Sequence, residues 1–237
     1  MNDKLENSAR SLSPAVEDYL KAIYEIQQEQ GSKRVSTSAL ADKMGVTRAS
    51  VTGMLKKLAA TEPLLVEYVP YHGVELTEAG EKIALEVVRH HRLIESYLTE
   101  ALGYSWDEVH QEADQLEHVI SNELEERIDR YLGHPELDPH GHPIPDKEGG
   151  FKSKDELALS QAEIGLPLRI SAVSDHDPEM LRYLEKLGLV LEAKVELVEK
   201  SPFEGPLHIR VLESGEVHAL SRRVTDQVYV TPRGANS

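Results

Sequence analysis

Residues 40–58 read LADKMGVTRASVTGMLKKL, and this stretch decides the fold of the first third of the chain. Ala41, Gly45 and Val51 stand where a helix-turn-helix needs a small residue, a turn-forming glycine and a core aliphatic. Thr47 is placed to cap the second helix, whose apolar positions Val51, Met54, Leu55 and Leu58 recur at helical spacing. Working upstream, Ser13 and Pro14 open an earlier helix that carries Val16, Tyr19, Leu20, Ile23 and Tyr24 and ends near Gln30 and Gly31. Downstream, LLVEY and GVEL joined through VPYH predict a small hairpin, and Thr77 caps a long helix from Glu78 to about Leu102. Three helices and then a hairpin make a winged helix-turn-helix, expected over residues 1–80.

The remainder changes character twice. A helix is expected from about Trp106 to Leu132, with Val109, Ala113, Leu116, Ile120 and Leu124 as its apolar stripe. It completes a helical domain over residues 81–150. A stretch rich in Pro, Gly, His and charge follows, and residues 151–165 read as a linker. From Leu166 to Ser237 the runs LRISAV, KVELVEK, PLHIRVL, EVHALS and QVYVTP predict a small β-barrel or sandwich, interrupted by one short helix over Pro178 to Leu187. The fold class is thus mainly α with β.

Composition narrows the chemistry. The 237 residues hold no cysteine, which excludes disulfides, thiolate zinc sites and cysteine nucleophiles. No apolar run is long enough to span a bilayer, and MNDKLENSARSLSP lacks the apolar core of a signal peptide, so the expectation is a cytoplasmic protein without a membrane partner. The formal net charge of −16 divides as −2 over residues 1–80, −12 over 81–165 and −2 over 166–237. The acidity is therefore concentrated away from the helix-turn-helix, and cations bound in the middle would relieve local self-repulsion.

That acidic middle carries a cluster. His110, Asp114, Glu117 and His118 are spaced by four, three and one, which would gather them on one arc of a helix, and His91 and Glu95 form a second i, i+4 pair. Imidazole and carboxylate suit divalent first-row ions, with Mn²⁺ or Fe²⁺ favoured over an ion that demands soft ligands, and six such residues could hold more than one ion. The alternative is a solvated acidic face with incidental histidines. On the helix-turn-helix, Thr47, Arg48, Ser50 and Thr52 could reach bases or phosphates, with Lys56 and Lys57 nearer the backbone and His72 at the wing tip. The bland counterpart is a winged helix used for protein contacts.

The motifs EDYLKAIYEI, LADKMGVTRASVTGMLKKL, LTEAG, RHHRLIESYL, HQEADQLEHVIS and PHGHPIP, in this order, resemble the diphtheria-toxin-repressor family of metal-dependent transcriptional regulators, which includes the manganese transport regulators. The resemblance implies a homodimeric repressor of metal-homeostasis genes that binds a double-stranded operator and takes no small-molecule substrate. It implies a helical dimerisation and metal-binding domain and a C-terminal SH3-like (FeoA-type) module. Carried over by position, one site takes His91, Glu95 and His110, completed by His176 and Glu179 from the C-terminal module. The other takes Asp18, Asp114, Glu117 and His118. Iron-responsive members place a methionine and a cysteine where this chain has Asp18 and Asp114, so the oxygen donors favour Mn²⁺, with Fe²⁺ still open. Short members carry a glutamate where this chain has Lys21, and an ammonium does not ligate.

Two rival readings come from other classes. A hydrolase could use the cluster to hold a metal with an open position, yet no HExxH, GxSxG or phosphate-binding glycine loop is present. A winged-helix regulator could instead sense an organic ligand, with the histidines structural.

Overall fold

The computed structural model describes residues 12–151, 155–174 and 177–232. The chain forms two compact units. The first comprises residues 1–91, 117–120 and 145–150. Its helices are α1 (Pro14–Gln30), α2 (Thr37–Met44), α3 (Arg48–Leu58) and the first half of α4 (Glu78–Leu102). Gly45 ends α2 in the left-handed region at φ 63°, which lets the chain turn sharply into α3. Thr47 caps α3 by accepting from the Ser50 N–H at 3.2 Å.

Leu20, Ile23, Leu40, Val51, Leu55 and Leu58 interlock beneath the hairpin of β1 (Val66–Val69) and β2 (Gly73–Leu76), and Ala84 and Val88 of α4 close the core. Each buried aliphatic contributes roughly 1.5–3 kcal/mol. That core fixes which face of α3 is left outward. The winged helix-turn-helix read from residues 40–58 is present.

The second unit comprises residues 92–116, 121–144 and 151–237. It holds the rest of α4, then α5 (Val109–Leu116) and α6 (Asn122–Tyr131). Its sheet runs β3 (Leu157–Ala158), β8 (Val228–Pro232), β4 (Pro167–Val173), β5 (Lys194–Lys200), β6 (Leu207–Val211) and β7 (Val217–Leu220), every neighbour antiparallel. Helices α7 (Pro178–Lys186) and α8 (Arg222–Thr225) accompany it. Ile170, Val173, Leu181, Leu184, Val195, Leu197, Ile209 and Val230 form its core.

Two expectations are corrected. The helix expected from Trp106 to Leu132 is broken: α5 ends at Leu116, residues 117–120 turn, and Ser121 caps α6 by accepting from Leu124 N–H at 3.3 Å. Its apolar stripe breaks too, because Val109 and Ala113 are buried while Leu116 and Leu124 are 36% and 49% exposed. Consequently His110 and Asp114 lie on α5 but Glu117 and His118 lie in the turn, not on one helical arc. The second correction concerns Leu157 and Ala158, inside the stretch read as linker: they pair with Val230 and Tyr229 as a sheet strand.

Candidate metal centre

In the first unit, Asp18 of α1, Glu117 and His118 each offer one donor atom within 4.8 Å of the others. Both His118 nitrogens face carboxylates: Nδ1 lies 2.6 Å from Glu17 Oε2 and Nε2 lies 2.8 Å from Asp18 Oδ1. Glu17 accepts a hydrogen bond from Nδ1, which holds the ring with Nε2 turned toward Asp18, the arrangement in which a histidine can ligate a metal. Burial pushes the Asp18 and Glu17 carboxyls up, against the lowering pull of His118. A divalent cation would reverse that for Asp18.

Glu117 is held from two sides. Lys21 Nζ donates to its Oε2 at 2.7 Å, and His91 donates from Nδ1 to the same oxygen. Burial alone would raise the Glu117 carboxyl, but the His91 hydrogen bond and the Lys21 ammonium outweigh it and hold it below the usual carboxylate range. His91 thus positions a carboxylate in this unit, with Lys21 beside it at 3.1 Å.

In the second unit a different set converges. Glu95, Asp138 and His140, all buried, place one donor atom each within 4.8 Å of one another. Asp138 Oδ1 accepts from the backbone N–H groups of His140 at 2.8 Å and His142 at 2.9 Å, which closes the loop around it. Its Oδ2 is buried and makes no hydrogen bond among the described residues; His142 Nδ1 lies 3.3 Å away and the Arg92 guanidinium Nε 3.6 Å. Arg92 answers part of the Asp138 charge from beyond hydrogen-bond distance, and two carboxylates and an imidazole converging in a buried position make a donor set that fits a divalent metal.

His140 Nε2 donates to the Trp106 carbonyl at 2.7 Å, leaving Nδ1 facing Glu95 Oε2 at 3.6 Å. His110 donates from Nδ1 to Glu95 Oε1 at 3.1 Å, and its Nε2 lies 3.7 Å from Asp114. Arg92 donates to the Pro143 carbonyl, tying the 138–143 loop to the helix that carries Glu95. The loop is also fastened to the sheet: Val173 N–H donates to the His140 carbonyl at 2.9 Å, and a Cβ on Gly141 would lie 2.1 Å from Ser171 O.

Asp18, Glu117 and His118 come together as expected, while Asp114 lies against His110. Glu95 and His110 are in contact. Glu179 is exposed in the first turn of α7, its N–H donating to the capping Asp177 side chain, and His176 lies outside the described residues. Asp138, His140 and Glu17 were missed. The available signal was Asp138-Pro-His140 in the PHGHPIP region, a ligand pair at close spacing within a proline-rich loop.

On α3, Arg48, Ser50, Lys56 and Lys57 are exposed. Thr47 is exposed too but serves as the cap, and the half-buried Thr52 donates its hydroxyl to the Arg48 carbonyl at 2.9 Å.

Comparison with known proteins assigns these units. Residues 11–74 match the iron-dependent repressor N-terminal DNA-binding domain, 77–146 the iron-dependent repressor metal-binding and dimerisation domain, and 157–232 the FeoA domain. The iron-dependent repressor IdeR of Mycobacterium tuberculosis is 30% identical over 207 residues, covering 82% of this chain and 87% of its own. The diphtheria toxin repressor of Corynebacterium glutamicum is 28% identical, covering 81% and 86%. Among solved structures, a manganese-dependent transcriptional repressor in complex with manganese superimposes with a TM-score of 0.85 at 36% identity, over 92% of this chain and all of that one. ScaR with bound Zn²⁺ gives a TM-score of 0.79 at 33% identity, over 92% and 99%. These relatives are regulators rather than enzymes, and the chain belongs to the diphtheria-toxin-repressor family of metal-dependent transcriptional repressors.

Proposed function

We propose that this chain is a Mn²⁺-responsive, homodimeric repressor of metal-homeostasis genes that holds one ion at Asp18, Glu117 and His118 and a second at Glu95, Asp138 and His140. The observation that carries this reading is the donor chemistry. Both clusters offer only carboxylate oxygen and imidazole nitrogen, in a chain without cysteine. Hard oxygen donors suit Mn²⁺. The similarity to a repressor described in complex with manganese supports the same choice.

Fe²⁺ is the second reading, favoured by relatives named iron-dependent repressors. His91 and His110 act as positioning donors to Glu117 and Glu95 in this scheme, with Glu179 and His176 as further candidates from the C-terminal module. Exposed Leu124 and Tyr131 on α6 suit a self-association face.

Asp18 and Glu117 would be neutralised by an ion they hold with His118, and their shared hold on it would join α1 to the 117–120 turn. Because α1 packs against α2, such a tie orients the helix-turn-helix. It shifts the dimer population toward the spacing at which both copies of α3 meet successive major grooves. Arg48, Ser50, Lys56 and Lys57 then face DNA, with Thr47 holding the start of the helix.

The test is a gel-shift titration with a duplex selected from a random-sequence pool by the full chain with Mn²⁺. Binding should appear with Mn²⁺ at lower concentration than with Fe²⁺ under anaerobic conditions, and vanish with a chelator. Asp138→Ala should remove one equivalent of bound Mn²⁺ by calorimetry. DNA binding indifferent to metal would overturn the proposal.

A further inference from the structure

We infer that Gly53 is the point of closest approach between α3 and the floor of the DNA major groove, and that it sets sequence preference by having no side chain. This rests on the reading that α3 enters the groove. Gly53 sits in the middle of α3, exposed, with ordinary helical backbone and without a positive φ. Among the described residues, a Cβ added there would meet nothing within 4 Å. Glycine is the poorest helix former after proline, so the folded chain alone would be better served by alanine. Nothing in the fold of the described residues calls for this glycine.

Its direction is outward, away from the core. Val51 and Leu55 are fully buried, and at about 100° per residue Gly53 lies about 200° around the helix from each. It therefore occupies the centre of the outward face. Ala49, one turn earlier on the same side, is exposed and offers only a methyl group. Lys56 and Lys57, both exposed, fall about 60° and 40° to either side of Gly53. The outward face is bare along its ridge and cationic on both flanks.

A helix with side chains is about 10–12 Å across and the major groove about 12 Å wide, so a bare ridge lets the axis descend between the phosphate walls. The lysines then reach the backbones on both sides, while Ala49 and the Gly53 Cα meet base edges by apolar contact, which among the bases favours the thymine methyl. A side chain at 53 would hold the helix off that floor.

The experiment compares the wild-type chain, Gly53→Ala and a Lys56→Ala/Lys57→Ala double variant, all full length with saturating Mn²⁺. The probes are the pool-selected duplex and an unrelated duplex of equal length, read by fluorescence anisotropy. For Gly53→Ala the expected result is an unchanged or higher melting temperature and an unchanged dimer mass. Its affinity for the selected duplex should fall about 10-fold or more, the scale of a lost base-pair contact, while the unrelated duplex changes less than about 2-fold. A drop in melting temperature, or wild-type affinity for the selected duplex, overturns the inference. If affinity persists in Gly53→Ala but falls in the double lysine variant, only the role of Gly53 fails. If neither variant loses affinity for either duplex, α3 does not enter the groove and both readings fall.

Discussion

Asp18→Ala is expected to weaken Mn²⁺-activated DNA binding about 100-fold or more, since losing a group that only supports a metal ligand already costs up to about 100-fold. The side chain stands 43% exposed and faces His118 Nε2, so it contributes to a donor set and not to the core. Its removal leaves α1 packed by Leu20 and Ile23, and the denaturation midpoint of the metal-free chain should not fall. The carboxyl is raised by burial, which means the metal-free chain gains little from keeping it charged. Calorimetry should show one weak Mn²⁺ equivalent in place of a tight one, and the gel shift should need proportionally more metal. Metal activation equal to wild type would remove Asp18 from the switch.

Lys21→Met should act on stability instead. The ammonium lies within hydrogen-bond reach of Glu117, and both residues are buried, at 9% and 2% exposure. Breaking a buried pair by removing one partner typically costs about 3–5 kcal/mol, because the remaining charge is stranded in a poorly polarisable setting. We expect a loss near the lower figure in the metal-free chain, since His91 still donates to Glu117. Adding Glu117→Gln should recover most of it by removing the stranded charge. Urea denaturation of the two variants checks this, and a Lys21→Met midpoint matching wild type would mean that the pair contributes nothing net. Because Lys21 answers part of the Glu117 charge without metal, the chain can fold first and sense afterwards.

The winged helix was legible because its determinants are local. Thr47 caps, Gly45 turns and Val51, Leu55 and Leu58 face inward at helical spacing, all within the stretch 40–58. The break after Leu116 was less visible, since Val109, Ala113, Leu116, Ile120 and Leu124 hold the helical period across it. Ser121 followed by Asn122 and acidic Glu123 and Glu125 was the cue for a new helix start. Asp18, Glu117 and His118 could be listed from the resemblance. Glu95, Asp138 and His140 could not be assembled in the same way, because Asp138 and His140 lie in a loop 43 and 45 residues beyond Glu95. The turn closed by Asp138 and the Arg92 hydrogen bond to the Pro143 carbonyl bring them to the helix, and Val173 fastens the loop to the sheet. Pairings fixed by a loop's tertiary anchor leave no periodicity to read.

The two ring anchors have a spectroscopic consequence. His118 donates from Nδ1 to Glu17 with Nε2 turned toward Asp18, whereas His140 donates from Nε2 to the Trp106 carbonyl with Nδ1 turned toward Glu95. The two proposed centres would therefore be read out on different ring nitrogens. In a chain labelled with ¹⁵N-histidine and titrated with diamagnetic Zn²⁺ in place of Mn²⁺, filling one centre perturbs an Nε2 resonance and filling the other an Nδ1 resonance. The order in which the ions load can thus be followed in one sample without altering a residue.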